Sequence, residues 1–208
     1  MKIINDSGKK LYSGSVGNIV GYIINGKQYF RNKPENYNDA KSEKQVNHRT
    51  RFIACSKLAK SALDATLKPV WMRNADKLTA FQFFIKTNFP FFNGTGQIVN
   101  YNNLKFSVGN LSLPEGLEFE KSGENNGEIT LKWIHTPGMI LDKSTDRLCV
   151  IAMRGNELAI IPGLMATRKK GIAKFHLPWE NKKDPVHLYA CFVNSKNTMG
   201  SDTFYQML

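Results

Sequence analysis

Seven times between Leu104 and Val193 the chain sets a short apolar run between turn residues: LKFSV, LEFE, EITLKWI, RLCVIAM, LAIIP, IAKFHL and VHLYACFV. Runs of this length, rich in β-branched and aromatic residues and bounded by clusters such as SGENNG, RGN and NSKNTMG, read as strands joined by turns. No stretch between them has the character of a crossover helix, so a parallel βαβ arrangement is excluded. In EITLKW, Ile129, Leu131 and Trp133 alternate with Thr130 and Lys132, the period of a strand with one buried face. The sequence therefore predicts an antiparallel β-sandwich over residues 101–208. Its strand pairs are distant in sequence, which makes this the slower half to fold.

Residues 1–100 have a different character, and the chain reads as α+β with a boundary near residue 100. NIVGYII and QYFR are strand-like, and Asn25-Gly26 between them is a two-residue hairpin turn. Gly14 and Gly17 mark bulges or close backbone contacts. Ser42 with Gln45 three residues on is a capping box, opening one long helix to about Val70. Its apolar stripe is Val46, Ile53, Cys55, Ala59, Ala62, Leu63, Thr66, Leu67 and Val70, and Pro69 ends or kinks it. A second helix is predicted over Leu78–Thr87, with Thr79 or Asp76 as cap, then a loop carrying FPFF. These helices lack the apolar length to stand alone and are expected to bury against the sandwich or a second copy.

Charge is the one feature that speaks of partners. The net charge is +12, and residues 1–100 hold sixteen Lys/Arg against six Asp/Glu. A basic half invites a polyanion, either nucleic acid or an acidic protein surface. The candidate contacts are Lys27 and Arg31 on the hairpin, Lys57 on the first helix, and Arg168, Lys169 and Lys170 on an expected hairpin tip. Three scattered cysteines, Cys55, Cys149 and Cys191, do not form a disulfide framework. No signal-like segment or membrane-length apolar run is visible, so a cytoplasmic protein with no membrane insertion is the expectation.

Sites for chemistry fail one by one. GYIINGKQ, Gly21–Gln28, comes within one residue of the phosphate-loop pattern G-x-x-x-x-G-K-[ST]. That loop needs flexible backbone amides between strand and helix. Here three intervening residues are bulky strand formers, Gln28 offers no hydroxyl for magnesium, and QYFR continues as strand. His187, Tyr189 and Cys191 share one face of a strand, but zinc needs about four ligands and no second close pair exists. Asp142 and Asp146 read as solvated turn residues. No nucleophile has a base and an acid beside it. Neither a catalytic residue, a cofactor nor a metal is assigned.

In order and spacing, GSVGNIVGYIINGKQYFRNKP and SEKQVNHRTRF resemble an uncharacterised Bacteroidetes family of unknown function. Its members open on a glycine-spaced hairpin ending in Arg and Pro, then a Thr/Ser-x-x-Gln cap. Gly14, Gly17, Gly21, Gly26, Arg31, Pro34, Ser42, Gln45, Arg49 and Phe52 carry the match. TAFQFFIKTN, LKFSVGNL, ITLKW and the ending VHLYACFVNSKNTMGSDTFY extend it over nearly the whole chain. Ser42 stands where that family usually has threonine, and TMGSD is a longer turn than its compact one. The ending also resembles the last hairpin of a fibronectin type III-like, immunoglobulin-type sandwich. The resemblance brings no established activity. Its recurrent residues serve shape and packing, which favours a non-catalytic binding or structural module of a larger assembly, with protein, self or other, as partner. The alternative is a nucleic-acid binder using the basic half; an enzyme has the least support.

Overall fold

The structure, a computed structural model, describes residues 2–6, 9–24, 26–36, 39–63, 66–122, 128–136, 141–161, 166–179 and 185–208. The chain divides into two compact units, Met1–Lys41 and Ser42–Leu208. The change of composition near residue 100, where the sequence places a boundary between 1–100 and 101–208, falls inside the second unit.

The first unit is a four-stranded antiparallel meander, β1 (Lys2–Asp6), β2 (Lys9–Val16), β3 (Ile19–Ile24) and β4 (Lys27–Asn32), in that spatial order. The sequence shows only the last hairpin clearly; the structure adds two strands before it. Val16 pairs with Ile19 and Ile24 with Lys27, so each turn has two residues. Gly17 (φ 56°) and Gly26 (φ 73°) take the positive angles such turns require. Gly17 is thus a turn residue and not a bulge, while Asn25 lies outside the described residues. Gly21 has another role. A Cβ there would lie 3.0 Å from the Tyr12 carbonyl oxygen and 3.1 Å from the Phe30 ring. Gln28 fills this region instead: its Oε1 accepts from the Tyr12 amide at 2.6 Å and its Nε2 donates to the Tyr12 carbonyl at 2.9 Å. The side chain supplies β2 with the pairing that the β3 backbone, in register only with Gly14–Val16, does not.

Among its described residues the second unit holds α1 (Glu43–Ala62), α2 (Leu67–Asn74), α3 (Ala80–Asn88) and seven strands. These are β5 (Glu115–Ser122), β6 (Glu128–Ile134), β7 (Arg147–Arg154), β8 (Glu157–Ile160), β9 (Ile172–His176), β10 (His187–Val193) and β11 (Phe204–Met207). They form two antiparallel sheets, β5-β6-β9 and β11-β10-β7-β8. Phe119, Ile129, Leu131, Trp133 and Phe175 of the first share a core with Leu148, Val150, Leu188, Ala190 and Phe192 of the second. The alternate residues of β7 and β10, among them Ile151, Met153, Tyr189 and Cys191, point the other way and pack under the helices with Trp71, Phe84 and Phe106. Strands β7 and β10 are therefore buried on both faces, which is why they read as continuous apolar runs. The helices do bury against the sheet.

Local differences from the sequence reading have identifiable causes. Ser42 and Thr79 form the capping boxes with Gln45 and Gln82. The first helix, however, stops at Ala62, and Pro69 lies in the first turn of the separate α2, where no amide is missed. Val46 and Ile53, assigned to the stripe, are exposed, and α1 buries only from Cys55 onward. LKFSV is not a strand. Asn88 bonds both the amide and the carbonyl of Lys105, Trp71 Nε1 donates to the Phe106 carbonyl, and Thr203 Oγ1 accepts from the Phe106 and Ser107 amides. Side chains satisfy this backbone in place of a ladder. The SGENNG turn falls largely on residues 123–127, outside the described residues.

Candidate binding surfaces

The pleat sorts the N-terminal sheet into two unlike faces. Val16, Ile19 and Phe30 share one, because Val16 opposes Ile19 and Phe30 opposes Gly21. All three are exposed, Phe30 by 56 %. On the other, Tyr22 opposes Tyr29 and their rings stack at 5.7 Å, with Lys27 and Arg31 on either side of Tyr29 along β4. Of the described side chains in this sheet only Leu11 is buried.

The other basic candidates lie in the second unit and do not act alike. Lys57, Lys169 and Lys170 are exposed. Arg168 is not a surface cation. It is 3 % exposed, paired with Asp146 at 3.5 Å and Asp142 at 3.7 Å, bonded to the Ser112 carbonyl at 2.9 Å, and set over the Phe192 ring. The RKK tip is a single 3-10 turn whose first residue is turned inward. Asp142 and Asp146, read as solvated, are its partners. The sequence could not show this, because the three charges meet only once Ser112 and Phe192 close over them.

His187 and Cys191 part company as well. Cys191 is sealed in the core. His187 stacks flat on Tyr101, with centroids 3.8 Å apart, and its Nδ1 is 2.9 Å from the Tyr205 hydroxyl. Burial lowers its pKa, so the ring is held neutral. Tyr189, whose hydroxyl donates to the Tyr101 carbonyl, has its pKa raised by burial and then by Tyr205 and Tyr101, and Tyr205 has its raised by burial and then by Tyr101. Cys55 is pushed up to about 11 by burial, against the opposing pull of Arg51. Raised values keep the Tyr189 and Tyr205 hydroxyls and the Cys55 thiol protonated, so none is an activated nucleophile. Tyr101, His187, Tyr189 and Tyr205 together form an aromatic, hydrogen-bonded wall. Among the described residues no cluster of His, Cys, Asp and Glu is arranged to hold a metal.

That wall borders a cleft of about 560 Å³ lined by Tyr101, Arg154, Gly155, Asn156, Glu157, Pro185 and His187. Arg154, at the end of β7, is 9 % exposed, and its Nε and Nη1 have no hydrogen-bond partner among the described residues. Its guanidinium lies 5.3 Å from the Trp179 ring centroid. In sequence Arg154 stands before the Gly155-Asn156 turn and looks like a solvated tip residue. It is nonetheless buried, with the Trp179 ring, distant in the chain, beside its guanidinium.

The chain belongs to the family of unknown function DUF6266, whose model matches residues 11–206. No curated protein and no solved structure matches it. Among the described residues no helix is long and apolar enough to cross a membrane.

Proposed function

We propose that this DUF6266 protein is a non-catalytic binding module that docks an acidic protein partner on the apolar face of its N-terminal sheet, as one component of a larger assembly. The observation that carries the reading is the exposed Val16, Ile19 and Phe30 on one face of a sheet in which, among the described side chains, only Leu11 is buried. A sheet of this size needs an apolar face covered to be stable. Residues 1–41 hold seven Lys/Arg against three Asp/Glu, so a second copy would meet like charge and an acidic rim would meet its complement. Residues 42–208 are the body that carries it. Their strand order, β5-β6-β9 facing β8-β7-β10-β11, corresponds to A-B-E facing C′-C-F-G and supports an immunoglobulin or fibronectin type III-like reading.

A photo-crosslinking residue in place of Phe30, in cells that make the protein, tests this. Adducts with an acidic protein, lost when Val16 and Ile19 are changed to Ser, are the expected result. Adducts only with the chain itself, or none, overturn it.

One observation favours a second reading. Lys27, Tyr29 and Arg31 with the stacked Tyr22 make a basic, aromatic face suited to single-stranded nucleic acid. It predicts oligonucleotide binding that weakens steeply with salt and is lost in Tyr29→Ala. No anisotropy change at low salt sinks it.

A further inference from the structure

We infer that the cleft beside Arg154 is a binding site for a small organic monocarboxylate, an acid whose apolar body lies along the Tyr101–His187 wall. Three observations converge. First, a guanidinium is placed where water reaches it poorly, and no carboxylate among the described residues is in ion-pair range of it. A buried charge without a countercharge is costly, and structures keep one where something else neutralises it. Second, the guanidinium faces Trp179 and lines an open cleft large enough for an organic molecule. Arginine set against an aromatic face still has its in-plane N–H groups for a carboxylate. Third, the Tyr101–His187 wall is chemically quiet. Tyr101 and Pro185 offer apolar surface, and His187 is neutral with Nδ1 committed to Tyr205.

The charge count sets the class. Among the described residues, Arg154 and Glu157 are the charged groups of the lining. Glu157 opposes Arg154 across the β7–β8 turn but is exposed. One positive charge inside and one negative at the rim suit a monoanion and disfavour a phosphate dianion. The volume exceeds what acetate fills, so affinity beyond the ion pair comes from the body of the acid against the aromatic wall. This site lies wholly in the second unit and is independent of the docking face proposed above.

Benzoate is the probe, with acetate and inorganic phosphate as controls for size and charge. Trp179 is the half-buried tryptophan and Trp71 and Trp133 are buried, so tryptophan fluorescence reports on the cleft. Saturable quenching by benzoate is expected, with acetate and phosphate each weaker. Arg154→Gln is expected to weaken benzoate at least roughly tenfold, and Glu157→Gln to strengthen it. Equal binding by Arg154→Gln, or phosphate binding as tightly as benzoate, overturns the inference. If Arg154→Gln does not fold, the native protein decides. Amide shifts on adding benzoate confined to Tyr101, Arg154–Glu157 and His187 support the site, and shifts elsewhere or none refute it.

Discussion

The same device appears in both units under different conditions. In the N-terminal sheet Gln28 reaches over Gly21 to bond the amide and carbonyl of Tyr12. In the second unit Gln206 of β11 bonds the amide and carbonyl of Phe119 on β5, both at 2.8 Å, and ties the edges of the two sheets together. A glutamine side chain carries one acceptor and donors, the same set as a peptide group, and so stands in for a strand where none fits. Gln206 does this beside the buried Phe119, whereas Gln28 does it in a sheet with little interior. A hydrogen bond is worth more where its loss strands buried polar groups than where water replaces it. Among the described residues, the two units differ less in their strands than in how many side chains those strands bury.

Three substitution experiments sharpen this contrast. The largest effect is expected from Trp71→Ala, which empties the helix–sheet core and frees the Phe106 carbonyl, costing about 3–5 kcal/mol. Tyr22→Ala in the N-terminal sheet removes a half-exposed stacked ring and should cost no more than about 1 kcal/mol. Chemical denaturation of both variants checks the pair, and equal costs would erase the distinction. Next come the glutamines. Gln206→Leu should destabilise by about 1–3 kcal/mol and Gln28→Leu by less, because water reaches Tyr12 more easily. The smallest effect is on pH dependence. All four histidines lie in the second unit. Burial places the folded pKa of His187 below its ordinary 6.5, so the folded state binds the proton less readily than the unfolded one. Its contribution is present above about pH 6.5 and is lost as pH falls through the lowered value. Melting curves between pH 7.5 and pH 5 should show that loss, reduced in His187→Gln, with the N-terminal sheet unchanged.

Much of this was legible in the residues, for physical reasons that also mark where legibility ends. β6, β7 and β10 announce themselves because burial on one or both faces leaves an alternating or continuous apolar pattern. The Ser42–Gln45 capping box is local and plain, whereas the second cap lay open between Thr79 and Asp76 until the structure placed Gln82 against Thr79. Pro69 was ambiguous because proline fits a first turn as well as it ends a helix. LKFSV was misleading because its apolar content is real, yet its backbone is satisfied by Asn88, Trp71 and Thr203 from far along the chain. Charge was the least legible quantity. Arg154 adjoins a turn glycine and Arg168 opens the basic run before one, yet both are buried. One is matched by two aspartates; the other is set beside Trp179 without an ion partner among the described residues.

Hydrogen exchange of the full chain, read strand by strand, tests most directly whether the N-terminal sheet awaits a partner. If it does, amides of β1–β4 exchange through low-energy local opening, while those of β7 and β10 exchange only as the whole second unit unfolds. If β1–β4 of the free monomer are protected as strongly as β7 and β10, the sheet is complete by itself and the account is contradicted.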